Sequence, residues 1–120
     1  MKRILVTDDE EGIRQLYKEE LEEEGYAVEL AESGEEALEK LNQGKPDVVI
    51  LDLKMRGMGG LEVLEQIRKE DKELPVIICT AYGEYKRDLS TWASDAYVVK
   101  SSDLNNLKRV IREMLENKKD

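Results

Sequence analysis

The 120-residue chain contains no histidine and only one cysteine, and each scarcity closes off a branch of chemistry. Without histidine there is no Ser-His-Asp triad, no Cys-His pair, no zinc site of the usual kind and no phosphohistidine on this chain. The lone Cys79 cannot staple the fold. Apolar runs are short, Val48 to Leu51 among the longest, against the ~20 residues that a bilayer-spanning helix needs, so no membrane segment is expected. No apolar stretch follows a basic start, and a cytoplasmic location is therefore expected. Basic residues are the minority, 19 Lys and Arg against 28 Asp and Glu, giving a net charge of -9 and a pI near 4.7. Such an excess repels phosphate backbones, which argues against direct nucleic-acid binding and favours a basic protein surface as partner. What remains is carboxylate, hydroxyl and amine chemistry. A chain of this length supports one core, so residues 1–120 are expected to form a single domain.

The hydropathy pattern alternates between two periods. Arg3 to Thr7 is a short β-branched run that stops at Asp8, Asp9, Glu10 and Glu11. Ile13, Leu16, Tyr17 and Leu21 recur at helical spacing, with Gly25 where a C-terminal cap falls. Tyr26 to Ala31 reads as a strand, and Ser33 with Glu36 forms the S-x-x-E box that opens a helix ended by Gly44 and Pro46. Val48 to Leu51 lacks alternation, as a strand buried on both faces does, and ends at Asp52. Gly57, Gly59 and Gly60 predict a flexible loop before a third helix at Leu61 to Ile67, and Val76 to Cys79 predicts the next strand, followed by Thr80. A short fourth helix around Tyr85 to Trp92, a fifth strand from Tyr97 to Val99 ending at Lys100, and a terminal helix through Leu104, Leu107, Ile111 and Leu115 complete the pattern. This alternation predicts an α/β fold, a doubly wound five-stranded parallel sheet with helices on both faces, of flavodoxin-like (βα)5 type.

In such sheets ligands bind beyond the carboxyl ends of the strands, near the point where strand order reverses. That rule gathers Asp8, Asp9, Asp52, Thr80 and Lys100 on one rim. Three carboxylates held together repel one another unless a cation sits among them, and an all-oxygen ligand set favours a hard divalent ion, Mg²⁺ or in its place Mn²⁺. Metal, lysine and hydroxyl together suit a phosphoryl group, and a carboxylate such as Asp52 can attack phosphorus without a general base.

From Lys2 to about Leu115 the chain resembles the receiver domain of bacterial two-component response regulators. The residues that carry the resemblance are Asp8-Asp9, Asp52 in Leu51-Asp52-Leu53-Lys54-Met55, Thr80-Ala81, and Tyr97 three residues before Lys100. The resemblance implies a phosphorylation-dependent signalling switch, not an enzyme with an external substrate, that takes a phosphoryl group on Asp52 from the phosphohistidine of a sensor kinase or a phosphotransfer protein. It further implies that Asp8, Asp9, Asp52 and the backbone carbonyl of Lys54 hold Mg²⁺, and that Lys100 and the Thr80 hydroxyl contact the phosphoryl group. Tyr97 then rotates as Thr80 moves inward, and the surface of the fourth helix, fifth strand and fifth helix changes partners. The implied partners are a downstream protein or an output domain, with homodimerisation on phosphorylation.

Three departures stand out. Arg56 occupies a position where the family usually has Pro, and Gly59 one where Asp is common, which predicts a more mobile loop. Ser101 replaces the usual cis proline; a non-proline cis bond costs about 2.5–4 kcal/mol, so the Lys100–Ser101 bond is expected to be trans and to aim Lys100 differently. The segment between Thr80 and Tyr97 is shorter than usual, which predicts a truncated or displaced fourth helix. Together these departures suggest the alternative of a degenerate receiver acting as a constitutive docking or dimerisation module. A haloacid-dehalogenase-like phosphatase would need a general acid where Lys54 stands, and a flavin carrier would need a phosphate loop where the acids follow the first strand. Individually, the residues also have plainer readings: Asp9 as a helix cap, Cys79 and Trp92 as packing, and Lys100 as a surface lysine.

Overall fold

The two periods of the sequence become nine elements among the described residues of the structure, a computed structural model that describes residues 1–81, 94–101 and 103–117. They are β1 (Arg3–Thr7), α1 (Glu11–Glu23), β2 (Ala27–Ala31), α2 (Gly34–Gln43), β3 (Val48–Leu51), α3 (Gly60–Glu70), β4 (Val76–Thr80), β5 (Ala96–Val99) and α4 (Asn105–Asn117). The strands form one parallel sheet in the order β2-β1-β3-β4-β5, as the alternation predicted. The expected helix around Tyr85 to Trp92, with its truncation or displacement, lies outside the described residues.

Strand alternation sorts the core into two layers. Ile4, Val6, Val28, Val48, Ile50, Ile77, Cys79 and Val98 face α1 and α4, meeting Tyr17, Leu21, Leu107 and Ile111. Leu5, Val49, Leu51, Val76 and Ile78 face α2 and α3, meeting Ala37, Val63, Leu64 and Ile67. Both faces of β3 are therefore covered, which is why its four residues show no polar alternation. The terminal helix is tied to α1 by Lys108, whose ammonium lies 2.7 Å from Glu20.

Local sequence sets the element ends. The Ser33 hydroxyl accepts the Glu36 N–H at 3.0 Å, as the S-x-x-E pattern predicted. The Glu36 carboxylate, however, accepts from the Glu32 N–H at 2.7 Å, so it secures the residue before the cap. Gly25 follows α1 with φ of +98°, a left-handed conformation suited to glycine, while the Gly25 and Tyr26 amides donate to Glu22 and Leu21 carbonyls. Gly60 is not loop slack as the glycine-rich stretch suggested: it opens α3 against the end of β3, where a Cβ would stand 2.2 Å from the Asp52 carbonyl oxygen. Only a residue without a side chain lets α3 start that close to the site.

Candidate functional site

Each strand end at one rim delivers a polar residue. The sheet order reverses at β1, which has β2 on one side and β3 on the other, and Asp8 and Asp52 follow those two neighbouring strands β1 and β3. Their backbones are pinned by cross-strand bonds: the Asp8 N–H donates to Ala31 at 3.1 Å and the Asp52 N–H to Thr7 at 3.1 Å. On the other side the Lys100 N–H donates to the Thr80 carbonyl at 2.7 Å, which holds the ends of β4 and β5 together. The Lys100–Ser101 bond is trans, since no cis bond occurs among the described residues. Across that trans bond Lys100 reaches both Asp8 and Asp52.

The side chains converge. Carboxylate oxygens of Asp8, Asp9 and Asp52 lie within 4.8 Å of one another. Lys100 Nζ bridges two of them, 2.7 Å from Asp8 Oδ2 and 3.2 Å from Asp52 Oδ2, with Glu10 Oε1 at 3.8 Å. Asp8 Oδ1 also accepts the Glu10 N–H at 2.9 Å, so the turn into α1 is fastened by Asp8 and not by Asp9 as a cap. The N-cap of α1 is Glu10, without a side-chain capping bond. Asp9 has a different cation: its Oδ2 accepts the Arg56 N–H at 3.0 Å and lies 3.5 Å from Arg56 Nε.

Burial and charge act in opposite directions on this cluster. Asp52 is 4% exposed. Its burial, then the neighbouring Asp8 charge, push its carboxyl above the ordinary range, and Lys100 partly offsets them. Burial would lower the Lys100 ammonium, but its bonds to Asp8 and the Asp52 charge win and hold it above the ordinary range. Lys100 is therefore a fixed cation and no surface lysine. Asp52 Oδ1 and Thr80 Oγ1 are buried without a hydrogen-bond partner, and so is Thr7 Oγ1 one residue before Asp8. A buried carboxylate oxygen with no donor, set among two further carboxylates, fits a small hard cation with oxygen ligands. Lys54 follows two residues after Asp52 in the loop before α3, on the same rim.

Tyr97 sits on β5, half-buried against the layer that faces α2 and α3, in register with Ile78 on β4. Cys79 is buried, with the Tyr17 hydroxyl 3.3 Å from its sulfur. Burial lifts its thiol to about 11, so it packs and does not react, as the plain reading held. Trp92 lies outside the described residues. Sequence reasoning treated Arg56 only as a departure and missed its contact with Asp9; spacing alone gives no sign of which acid a loop residue meets.

The response regulator receiver domain model matches residues 4–112 of this chain. Among curated proteins, sporulation initiation phosphotransferase F of Bacillus subtilis is 43% identical over 83 residues, 69% of this chain and 67% of its own length. Transcriptional regulatory protein ResD of the same organism is 44% identical over 100 residues, 82% of this chain and 41% of its own. The chain thus spans about two thirds of the first relative and under half of the second. Among solved structures, response regulator TrrA of Thermotoga maritima in complex with Mg²⁺-BeF superposes with a TM-score of 0.93 at 54% identity, covering 95% of this chain and 99% of that one. The complex of histidine kinase ThkA with TrrA matches at a TM-score of 0.91, with 54% identity over 96% of this chain and 99% of that one.

Proposed function

Because the chain belongs to the response regulator receiver domain family, we propose that it is a phosphorylation-controlled signalling switch of a two-component system with Asp52 as phosphoacceptor. One observation carries the reading: three carboxylates meet around a buried Asp52 oxygen that has no donor, and a lysine spans the acids. Asp8, Asp9, Asp52 and the main-chain carbonyl of Lys54 are the ligands for Mg²⁺, with Mn²⁺ as substitute. Bound there, the ion supplies countercharge for phosphoryl oxygens.

Asp52 attacks phosphorus through a carboxylate oxygen. The bond from phosphorus to the donor imidazole nitrogen breaks, its electron pair returns to the ring, and an aspartyl phosphate results. Lys100, already protonated and bridging Asp8 and Asp52, keeps its charge and swings toward the new phosphoryl oxygens. The unpartnered Thr80 hydroxyl donates to another, which draws it inward, and Tyr97 follows on the adjacent strand. The protein acts only on its own phosphorylation and dephosphorylation and turns over no external substrate.

The similarity to TrrA, whose structures include a complex with a histidine kinase, supports a sensor kinase or phosphotransfer protein as donor for this chain. Relatives roughly twice its length support a downstream protein or an output domain as receiver of the signal; the proposed route is the surface of β5 and α4, with homodimerisation on phosphorylation as a further part of the proposal. No described helix is long and apolar enough to cross a membrane, in keeping with a cytoplasmic site of action. A constitutive docking module would need no preserved charge bridge, whereas Lys100 and the three acids are all in place despite Arg56, Gly59 and Ser101. Incubation with acetyl phosphate tests the proposal: intact mass should rise by one phosphoryl group only with Mg²⁺ and not in Asp52→Asn. No gain under any condition would leave the docking module, and a gain without Mg²⁺ would overturn the metal reading.

A further inference from the structure

The acids of the site divide their cations unevenly. Lys100 serves Asp8 and Asp52, both nearly buried. Asp9 receives nothing from Lys100 within ion-pair distance; its cation is Arg56, held by two contacts to the same oxygen, the main-chain N–H at 3.0 Å and the guanidinium Nε at 3.5 Å. The two contacts differ in what they tolerate. A carboxylate oxygen has two lone pairs, so Asp9 Oδ2 can keep the Arg56 N–H while it also faces a metal ion. A guanidinium 3.5 Å from Oδ2 places a positive charge beside a divalent cation held by the same carboxylate, and the two repel. The Arg56 side chain is 88% exposed and free to swing into solvent, whereas the N–H is fixed by the loop between β3 and α3.

We propose that Arg56 is a metal-displaced latch on Asp9: its main-chain N–H orients the carboxylate toward the cluster, and its guanidinium occupies the carboxylate until a divalent cation expels it. Arg56 is thus a positioning residue that sets the Mg²⁺ threshold of the site. The inference rests on the metal-binding reading above, with Asp9 as a ligand. It gives the loop a part that its mobility alone would not: at this position a proline, having no N–H, could supply neither contact.

The latch has a sign. Removing the guanidinium while keeping the N–H lets Mg²⁺ bind without displacing a cation, so Arg56→Gln tightens Mg²⁺ binding about two- to fivefold at low salt, the range that an exposed ion pair spans. Arg56→Lys keeps the charge and stays near wild type. The gain of Arg56→Gln shrinks in 1 M KCl, where screening shortens the reach of the displaced charge to about 3 Å. Arg56→Pro removes both contacts and lets Asp9 rotate away, so it binds Mg²⁺ more weakly than Arg56→Gln. Because the side chain is exposed, Arg56→Gln and Arg56→Lys fold, and circular dichroism checks this for all three variants.

The experiment is calorimetric titration of the full chain with Mg²⁺ alone, for wild type and the three variants, at low and high salt. In parallel, the Arg56 Nε–H resonance of the ¹⁵N-labelled wild type is followed during the same titration. The proposal expects the stated order of affinities and an Nε–H signal that moves with the calorimetric midpoint. Equal or weaker binding by Arg56→Gln at low salt, or an Nε–H signal indifferent to bound Mg²⁺, overturns the latch while leaving the metal site standing. No Mg²⁺ binding by any of the four proteins overturns the metal reading, and the latch with it.

Discussion

Ionised Asp52 should make the metal-free protein less stable than it would be with an uncharged residue of the same shape, so Asp52→Asn should stabilise it. The residue is 4% exposed, and Oδ1 has no donor. Leaving a buried polar atom unsatisfied costs about 1–3 kcal/mol, more when charged. Repulsion from Asp8 adds to this, and the 3.2 Å contact with Lys100 offsets part of it. Asparagine keeps an oxygen for Lys100, which retains its 2.7 Å bond to Asp8. A net gain of about 1–2 kcal/mol follows, or a rise in Tm of about 3–10 °C for a domain of this size.

The pH dependence carries a definite sign. In the folded chain the Asp52 carboxyl titrates above its ordinary 3.8, so folding favours its protonated form. The destabilisation is therefore absent below pH 3.8 and complete only above the raised folded value. The advantage of Asp52→Asn should be larger at pH 7.5 than in acid and fade as the pH falls toward 3.8. Urea unfolding in EDTA, followed by far-ultraviolet circular dichroism, measures both. Equal or lower stability of the variant at pH 7.5, or an advantage that grows in acid, would refute the reasoning. Mg²⁺ should narrow the difference, because a ligand that binds only the native state stabilises wild type by mass action.

Lys100→Ala should have the opposite effect, since it leaves Asp8 and Asp52 buried without their cation; a loss of about 2–4 kcal/mol in EDTA, partly restored by Mg²⁺, is expected in the same urea titration. Gly60→Ala places a Cβ against the Asp52 carbonyl and should cost about 3 kcal/mol or more; a Tm within 2 °C of wild type, roughly half a kcal/mol, would show that the start of α3 yields easily. Ser33→Ala removes the hydroxyl that caps α2 and should cost about 1 kcal/mol, with amide exchange quickening first at Glu36.

What could be read from the sequence followed from burial. β3 was legible because both its faces are covered, so Val48 to Leu51 needs no polar residue and Asp52 marks where cover ends. Asp8, Thr80 and Lys100 were legible for the same reason, as polar residues that terminate apolar strands. Contacts made by loops were not. Asp9 has the composition and place of a cap, yet its carboxylate is claimed by Arg56, 47 residues away, which no local pattern encodes. Glu36 was recognised as half of a capping box, but whether it reaches Ser33 or Glu32 depends on loop backbone geometry. Gly60 looked like flexibility because glycine carries the same letter whether it supplies conformational freedom or mere absence of a side chain.

The central claim is that Asp52 itself carries the phosphoryl group. Borohydride reduces an acyl phosphate to an alcohol and so converts a phosphorylated aspartate into homoserine, leaving a permanent mark at the acceptor. After incubation with acetyl phosphate and Mg²⁺, reduction and proteolysis, peptide mass spectrometry should place that mark on Asp52 and nowhere else. A mark on Asp8, Asp9 or any other residue, or an unmarked chain whose intact mass had risen, would contradict the account.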